Sequence, residues 1–321
     1  MRGSRASLAV AAAIALAGAC GRPTGPYPSR EIKLIIQSSP GGLSDTVSRV
    51  LAALMETELG VPVVCENRPG AAGALAFSYV TRQAPTGYLI GHGPVEIAMV
   101  QALGYANIGP EDMDLLCLVT KTKPVLAVQA ASPWRRFEEF LAAARARPNY
   151  YIVANSGTGS IWHINALLLE RETGVRLVHC PFSGSSAALT ALLGGHVDAA
   201  VAGAGEVGPH AKAGTLRPLA VFDEARSPLF AQTPAVTEAG YRLGVSAWSG
   251  FYGPKGLPPE VTAKLVAAFR TAFASPRFQA LCEERGMEAL FLEPEPFRKF
   301  ALAQAAFFRK TIPELLTGGA R

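Results

Sequence analysis

The sequence predicts an α/β fold with two lobes, each a mostly parallel β-sheet flanked by helices. Short apolar runs alternate along the chain with amphipathic stretches, which is the pattern of successive βα units. Two strand–turn–helix units of the same design stand about 120 residues apart, so we place them in different lobes. A chain of 321 residues, 49% hydrophobic and only 17% charged, is long enough for two packed cores and too apolar to be disordered.

Apolar periodicity locates the individual elements. In the first unit, apolar residues recur at i, i+3, i+4 and i+7 from Val47 onward, which predicts a helix from near Ser44 to Gly60. The other predicted helices cover 160–173, a short stretch up to 193, 259–274, 277–285 and 294–310. The predicted strands are 32–36, 61–66, 88–91, 150–154, 176–180, 197–202, 216–222 and 248–253.

The C-terminal segment consists mostly of helices, which by themselves would make a poor separate domain. We therefore expect it to return to the first lobe, so that the chain crosses twice between the lobes. This gives a first lobe of residues 29–122 plus 222–321 and a second lobe of 123–221. A hinge is expected near residues 121–125 and 220–224.

The N-terminus has the layout of an export signal. Arg2 and Arg5 precede an apolar run without acidic residues, so we assign residues 1–19 to the signal. The run is shorter than the roughly 20 residues that a membrane-spanning helix needs.

The residues just before Cys20 also resemble a bacterial lipobox, although Ala17 stands where a leucine is usual. We predict a periplasmic protein that is anchored through lipidated Cys20, with residues 20–28 as a tether. Simple cleavage before Cys20 without lipidation is the alternative.

The net charge argues against one class of partner. Without Arg2 and Arg5, the formal charge falls from +5 to +3, and the remaining basic residues are scattered. A mild positive charge suits an anion-binding protein. Nucleic-acid binding is not expected, because no basic stripe or nucleic-acid motif is present.

Four further cysteines could form disulfides in any of three pairings: Cys65, Cys117, Cys180 and Cys282. Three of them lie in apolar, strand-like runs, which favours buried free thiols. No pair has the CxxC spacing of a zinc or redox site.

A glycine-rich turn follows the first strand and leads into a helix. At such a position, unpaired backbone N–H groups and the helix dipole favour an anion, and glycine lets a ligand approach closely. An ordinary strand-to-helix loop is the alternative, and Asp45 is expected to cap the helix. The candidate ligand residues here are Ser38, Ser39, Pro40, Gly41, Gly42 and Leu43.

A second glycine-rich turn has the same placement in the second unit and adds hydroxyl groups. It matches neither the GxxxxGK[ST] pattern of a phosphate loop nor the GxGxxG pattern of a dinucleotide site. His163, one turn into the helix, is either a ligand contact or a packed histidine. The candidate ligand residues here are Gly157, Thr158, Gly159, Ser160 and His163.

Enzyme signatures are absent from the sequence. There is no GxSxG elbow, no HExxH motif and no cysteine in a recognisable nucleophile setting. The five histidines show no metal-ligand spacing, so we predict neither a metal nor a cofactor. Asp198 alternates with apolar neighbours on a strand and needs a partner. It binds either backbone N–H groups or the ligand, and we keep it as a candidate ligand residue.

Six segments occur in an order and spacing typical of one family. They are Pro40-Gly41-Gly42-Leu43-Ser44-Asp45 with Arg49, Glu66-Asn67-Arg68-Pro69-Gly70-Ala71-Ala72-Gly73, Ala84-Pro85-Thr86-Gly87-Tyr88, Gly157-Thr158-Gly159-Ser160 with His163, Leu192-Leu193-Gly194-Gly195-His196-Val197-Asp198, and Trp248-Ser249-Gly250-Phe251-Tyr252-Gly253-Pro254. From about residue 27 to the C-terminus, the chain thereby resembles the periplasmic solute receptors of tripartite tricarboxylate transporters, also called the Bug family.

The resemblance implies a type II periplasmic-binding fold, in which the two glycine-rich turns grip a small carboxylate, partly through water. It adds Phe182 and Ser183 to the candidate ligand residues. It also implies that the loaded receptor docks onto an integral-membrane permease. We expect a monomer.

The chain departs from the family pattern at three places. The lead into the first glycine pair is Gln37-Ser38-Ser39 rather than proline-rich and aromatic, and Glu96 and Glu206 stand where neutral residues are common. Two extra carboxylates near an anion site would repel a dicarboxylate. We therefore hypothesise that the ligand carries a positive or amide nitrogen beside its carboxylate, and we include Glu96 among the candidate ligand residues. Solvated rim residues are the alternative.

Three classes of function remain open at this point. A binding receptor is the first, a ligand-sensing partner of a signalling protein is the second, and an enzyme on the same fold is the third. The receptor and the sensor share every ligand residue, whereas the enzyme needs a nucleophile or an acid–base pair between the lobes. In either of the first two, the lobes close around the ligand.

Overall fold

The computed structural model describes residues 26–318, so the predicted export signal and Cys20 lie outside the described residues. The eleven strands of this range are β1 (Ile32–Ile36), β2 (Val63–Asn67), β3 (Leu89–Pro94), β4 (Met113–Thr122), β5 (Pro124–Gln129), β6 (Ile152–Asn155), β7 (Val178–Pro181), β8 (Ala199–Gly203), β9 (Leu216–Val221), β10 (Ala247–Pro254) and β11 (Glu288–Leu292). Its α-helices are α1 (Leu43–Leu59), α2 (Ala74–Thr81), α3 (Phe137–Ala146), α4 (Ile161–Thr173), α5 (Ser185–Leu193), α6 (Ala204–Lys212), α7 (Pro259–Ala274), α8 (Pro276–Glu284) and α9 (Pro294–Gly318).

The strands form two sheets, one in each lobe. The first sheet has the order β11-β4-β10-β3-β1-β2, and the second has the order β7-β6-β8-β5-β9. The predicted two-lobed α/β fold class is confirmed. Both sheets are mixed, however, because β10, β4 and β11 run antiparallel to their neighbours in the first sheet, as do β5 and β9 in the second. These antiparallel strands include the ones that carry the chain between the lobes.

Helix α1 shows how the local sequence builds the first lobe. Val47, Leu51 and Met55 recur on one face of the helix and are fully buried against the sheet. The helix ends at Gly60, whose left-handed backbone (φ +68°) lets its N–H bond back to the carbonyl of Glu56. This geometry holds the start of α1 at the end of β1, next to the first glycine-rich turn.

The two lobes touch each other closely away from the glycine-rich turns. Gly205, at the start of α6 in the second lobe, packs on the backbone of Arg285, just after α8 in the first lobe. A Cβ added at Gly205 would overlap the carbonyl group of Arg285. Only glycine allows the two backbones to approach to this distance.

The long connection from β9 to β10 packs mainly on the second lobe. Asn165 of α4 is fully buried, and its side chain pairs with both backbone groups of Val245: Nδ2 donates to the carbonyl at 3.0 Å, and Oδ1 accepts from the N–H at 2.9 Å. Tyr241 in the same connection accepts a hydrogen bond from Arg145 of α3 at 3.0 Å. None of the described helices is both long and apolar enough to cross a membrane.

We expect Asn165→Ala to destabilise the protein by about 1–3 kcal/mol, because it leaves the half-buried N–H and C=O of Val245 without their side-chain partners. Urea unfolding of the purified protein measures the change. Asn107→Ala is the matched control, since the exposed Asn107 bonds only to Gln101. Equal midpoints for the two variants would contradict this role for Asn165.

Candidate functional site

The candidate site lies where the carboxyl ends of two sets of parallel strands face each other. In the first lobe these strands are β1, β2 and β3, and in the second they are β6, β7 and β8. Open α/β sheets bind their ligands in the crevice outside such strand ends. The two sides are in contact, because a Cβ at Gly159 of the second lobe would lie 3.0 Å from Leu103 and 3.3 Å from Tyr105 of the first.

The first glycine-rich turn has the predicted position, between β1 and α1. Ser39, Pro40 and Gly41 are exposed, and Gly42 is the N-cap residue of α1, with no side-chain cap. Asp45 was expected to cap the helix, but it binds the turn instead: the N–H of Gly41, the residue before the N-cap, donates to Oδ2 of Asp45 at 2.9 Å.

An ionic network around the buried Asp45 braces the first turn. Asp45 Oδ1 accepts hydrogen bonds from Arg49 Nε and Asn67 Nδ2, both at 2.9 Å, and Asn67 also donates to the carbonyl of Ser38. Burial by itself raises the pKa of Asp45, but the hydrogen bonds from Arg49, Gly41 and Asn67 outweigh burial and lower the pKa. Asp45 is therefore ionised, and it ties the end of β2 to the turn.

A second hydrogen-bonded chain leads to a hydroxyl that the sequence analysis does not include among the site residues. His92 Nδ1 lies 2.9 Å from Gln37 Oε1, and Gln37 Nε2 donates to Ser44 Oγ at 3.0 Å. Burial lowers the pKa of His92 to about 3, so the ring is neutral. Because Ser44 Oγ accepts from Gln37, its proton is left to donate elsewhere. Gln37 belongs to the unusual polar segment before the first glycine pair, and this was the sequence signal that could have identified the hydrogen bonds from His92 to Ser44.

The second glycine-rich turn lies between β6 and α4, as predicted, and most of its backbone N–H groups have internal partners. Gly157 N–H donates to Asn155 Oδ1 at 3.0 Å, and Ser160 N–H donates to the Gly157 carbonyl at 3.0 Å. Gly159 N–H donates to His163 Nδ1 at 3.1 Å, and His163 N–H donates to Ser160 Oγ at 3.2 Å. Thr158 is the exposed residue of the turn.

His163 is therefore part of the turn itself. Its ring is buried, and this burial, with a smaller contribution from the neighbouring His179 ring, lowers the pKa of His163 to about 4. The ring is neutral at pH 7, which leaves Nδ1 free to accept the N–H of Gly159.

Each turn holds one buried polar atom that has no hydrogen-bond partner among residues 26–318. In the first turn this atom is Ser38 Oγ, which would lie 4.0 Å from a Cβ added at Gly42. In the second it is Nδ2 of Asn155, a fully buried residue. Buried polar groups normally have partners, so both atoms are suited to contact a polar ligand.

Phe182 and Ser183 follow β7 and lie beside the second turn. The N–H of Phe182 donates to the carbonyl of Asn155 at 3.0 Å, and its own carbonyl lies 3.4 Å from where a Cβ at Gly157 would stand. Ser183 is exposed next to it.

Asp198 lies at the other end of the second sheet. It precedes β8, and its Oδ2 accepts the N–H of Ile152, the first residue of β6, at 2.8 Å. The second glycine-rich turn follows the last residue of β6, so Asp198 is separated from it by the length of that strand. This is the backbone-binding role that the sequence analysis gave as one of two possibilities.

Glu96 and Glu206 both lie at the cleft, and neither carboxyl is in open solvent. Glu206 caps its own helix α6, because its Oε2 accepts the N–H of Gly203 at 2.9 Å. Burial raises the pKa of Glu206, and Gly203, Ser185 and Arg285 offset part of the rise.

Glu96 belongs to the short 3-10 turn Val95–Ala98 after β3. Burial raises the pKa of its carboxyl group, and two backbone N–H groups, those of Glu96 itself and of Ile161, offset part of the rise. Ile161 is the first residue of α4, in the other lobe.

A cavity of about 1040 Å³ lies elsewhere, beside α9 and the connection to β10, where Lys121, Arg242, Phe300 and Phe307 are among its lining residues. None of the predicted site residues lines this cavity. Among residues 26–318, no group of three His, Cys, Asp or Glu side chains is placed to hold a metal ion. Cys65, Cys117, Cys180 and Cys282 are free thiols, of which Cys117 and Cys282 are buried and the other two half-buried.

This architecture is that of a two-lobed solute-binding protein. The family model of the tripartite tricarboxylate transporter family receptor matches residues 47–315. A Cupriavidus necator protein, "UPF0065 protein in gbd 5′ region", is 31% identical over 312 residues, which cover 96% of this chain and 95% of that protein. The chain belongs to the tripartite tricarboxylate transporter receptor family, whose members are substrate-binding proteins and not enzymes.

Solved structures agree with this assignment. A TctC solute binding protein from Polaromonas, with no ligand, is 31% identical with a TM-score of 0.75, and the match covers 90% of this chain and 100% of that one. Rpa4515 from R. palustris with adipate (26%, TM-score 0.82) and MatC from Rhodopseudomonas palustris with bound malate (27%, TM-score 0.76) each match over 90% of this chain and 98% of theirs.

His163 makes the stability of the protein depend on pH. The unfolded chain binds a proton at this ring near pH 6.5, whereas the folded protein binds it near pH 4. Stability should therefore fall as the pH is lowered between these values, by up to roughly 3 kcal/mol. We expect His163→Asn to make this dependence less steep, because the asparagine Oδ1 can accept the N–H of Gly159 without titrating, while the buried His92 still contributes its share.

The measurement is the free energy of unfolding in urea at pH 7 and at pH 4.5. His196→Asn is the control, because it makes the same chemical change at an exposed histidine outside the two turns. A pH dependence as steep in His163→Asn as in the wild type would show that the ring of His163 does not titrate as described.

Proposed function

We propose that this protein is an extracytoplasmic receptor that captures a small carboxylate between its two lobes and delivers it to a tripartite tricarboxylate-type membrane permease. The observation that carries the proposal is the pair of glycine-rich turns that face each other across the cleft, each with a buried polar atom free to contact a ligand. The adipate and malate bound to two relatives support a carboxylate as the ligand.

In the first lobe, we assign the ligand contacts to the predicted residues 38–43 together with Ser44. The start of α1 supplies backbone N–H groups at the positive end of the helix dipole. Ser38 and Ser44 add two hydroxyl groups, and the Gln37 chain orients the second of these.

In the second lobe, the contacts are assigned to the predicted residues 157–160 with Phe182 and Ser183. His163 shapes this turn from within, because its Nδ1 holds the N–H of Gly159. Asp198 is left out of the proposed site, since its carboxylate holds the N–H of Ile152 at the far end of the sheet.

The lobes are proposed to close around the ligand by rotation at two crossings. One is between β4 and β5, where a single residue, Lys123, separates the two sheets. The other is just before β10, because the connection as far as Val245 packs on α4 of the second lobe. We therefore propose that residues 222–245 move with the second lobe.

Closure should require glycine at position 205. We expect the wild type to become more compact in X-ray scattering when the best ligand from a thermal-shift screen of organic acids and amino acids is added. Gly205→Ala should bind that ligand at least tenfold more weakly and should not become compact, because its Cβ would overlap the backbone of Arg285 in this arrangement of the lobes.

Gly208→Ala is the matched control in the same helix. A Cβ there would lie 3.3 Å from the flexible end of the Leu229 side chain, which can move aside. Compaction of Gly205→Ala to the wild-type size would contradict this mode of closure. If no small carboxylate shifts the melting temperature of the wild type, the receptor function itself is wrong.

Export and membrane attachment are the remaining parts of the proposal. The signal at residues 1–19 is proposed to direct the chain to the periplasm, and lipid on Cys20 is proposed to hold it at the membrane. The family supports a periplasmic receptor.

We expect Cys20→Ser to move the mature protein from the membrane fraction to the soluble periplasmic fraction, and mass spectrometry of the wild type to find diacylglycerol on Cys20. Cys65→Ser, which changes a cysteine of the folded region, should leave the distribution unchanged. A wild-type protein that is soluble and begins with unmodified Cys20 would show simple cleavage instead.

A further inference from the structure

The cavity of about 1040 Å³ beside α9 borders both crossings between the lobes. Its lining residue Lys121 lies two positions before Lys123, the single residue between β4 and β5, and its lining residue Ser246 directly precedes β10. One wall, with Lys121 and α9, belongs to the first lobe, and the other wall is the connection from β9 to β10. Small-molecule sites commonly lie at such interfaces between domains, in cavities of up to roughly 1,000 Å³.

Helix α9 presents an aromatic face with one polar side chain to this hinge cavity. Phe300, Gln304 and Phe307 recur at i, i+4 and i+7, so they lie on one face of the helix, and all three line the cavity. Phe307 is 38% exposed, so its ring is accessible to a ligand. Oε1 of Gln304 is buried and has no hydrogen-bond partner among residues 26–318. This wall therefore offers both aromatic surface and an amide that can form hydrogen bonds.

Two cations that line the hinge cavity form no ion pair within the described part of the chain. They are Lys121, which is half-buried, and Arg242, which is exposed on the opposite wall. The Lys121 ammonium group lies 5.9 Å from the centre of the Phe300 ring. Positive charge and aromatic surface are thus adjacent, which suits a ligand that carries an acid group on an apolar ring.

The acidic residues that line the cavity do not cancel this charge. Asp223 is bound by its neighbours, because Lys123 Nζ lies 3.5 Å from its Oδ1 and Ser246 Oγ donates to its Oδ2 at 2.9 Å. Glu224 is exposed to solvent, where water screens its carboxylate. Two unpaired cations therefore stand against one unpaired carboxylate in the hinge cavity.

We propose that the hinge cavity is a second binding site, which takes an aromatic acid. The ring system of the ligand packs on Phe300 and Phe307, and Lys121 and Arg242 bind its acid group. None of the residues assigned to the glycine-rich turns lines this cavity, so the site is separate from the cleft and does not depend on the proposed function. Because its two walls belong to different lobes, the bound acid also connects the lobes on the side of the hinge.

Calorimetry with two matched probes tests the proposal. Naphthalene-2-sulfonate carries an acid group on an aromatic ring system, and naphthalene-2-sulfonamide has the same rings without the charge. We expect the wild type to bind the sulfonate at least tenfold more tightly than the sulfonamide. Arg242→Gln should weaken sulfonate binding at least fivefold because it removes a cation, and Phe307→Ala should do so because it removes aromatic surface.

Arg82→Gln and Leu316→Ala are the matched controls. Arg82 is an exposed arginine directly after α2, and Leu316 is an exposed apolar residue of α9 that does not line the cavity. Both variants should bind the sulfonate as the wild type does. Ser44→Ala, which changes the cleft, should also leave sulfonate binding unchanged.

The possible results separate this site from the cleft. A sulfonamide that binds as tightly as the sulfonate overturns the inference, and so does a sulfonate that does not bind. Binding that Ser44→Ala weakens and Phe307→Ala leaves unchanged also overturns it, because the probe then occupies the cleft. Arg242 and Phe307 are exposed, so their variants are expected to fold, and the comparison of the two probes needs no variant. The receptor function, which concerns the cleft, is unaffected by any of these results.

Discussion

The backbone N–H groups at the starts of α1 and α4 are the constraint on which the cleft depends. Such groups have no partner inside their helix, so each must find a side chain, a carbonyl or a ligand. Asp45 takes this role before α1, and His163 and Ser160 take it at α4. These internal bonds give each turn its shape and determine which N–H groups are left to face the opposite lobe.

The N–H groups before the two helices bind partners of different charge. Before α1, the partner is an ionised carboxylate, whose charge Arg49 and Asn67 balance. At α4, the partner is the neutral ring of His163, because burial holds its pKa near 4. The dipole of α4 therefore keeps its positive end uncompensated by its own residues.

Contact between the lobes depends on small residues as much as on polar ones. Gly205 lets α6 approach the backbone at Arg285, and Gly159 lets the second turn approach Leu103. The crossing at Lys123, a single residue between β4 and β5, leaves the lobes free to rotate about a short hinge.

Some elements of the fold could be predicted from the sequence, and others could not. The strand at 32–36 and the helix at 259–274 have the bounds that the sequence predicts. Their apolar patterns are local and strong, and prolines at 258, 259 and 276 mark the two ends of the helix. In contrast, β4 and β5 were not predicted: a single residue, Lys123, separates them, and they pair in two different sheets. Helix α6 was not predicted, because it contains glycine and proline.

The sequence by itself determined the fold class and the place of both glycine-rich turns, because strand, glycine and helix follow one another within a few residues. Only the tertiary structure decided which hydrogen-bond partners those turns have. The chain from His92 through Gln37 to Ser44 joins residues 55 positions apart, and the brace from Asn67 to Asp45 joins residues 22 apart. Such partners are set by how the lobes pack, and no local pattern of residues records them.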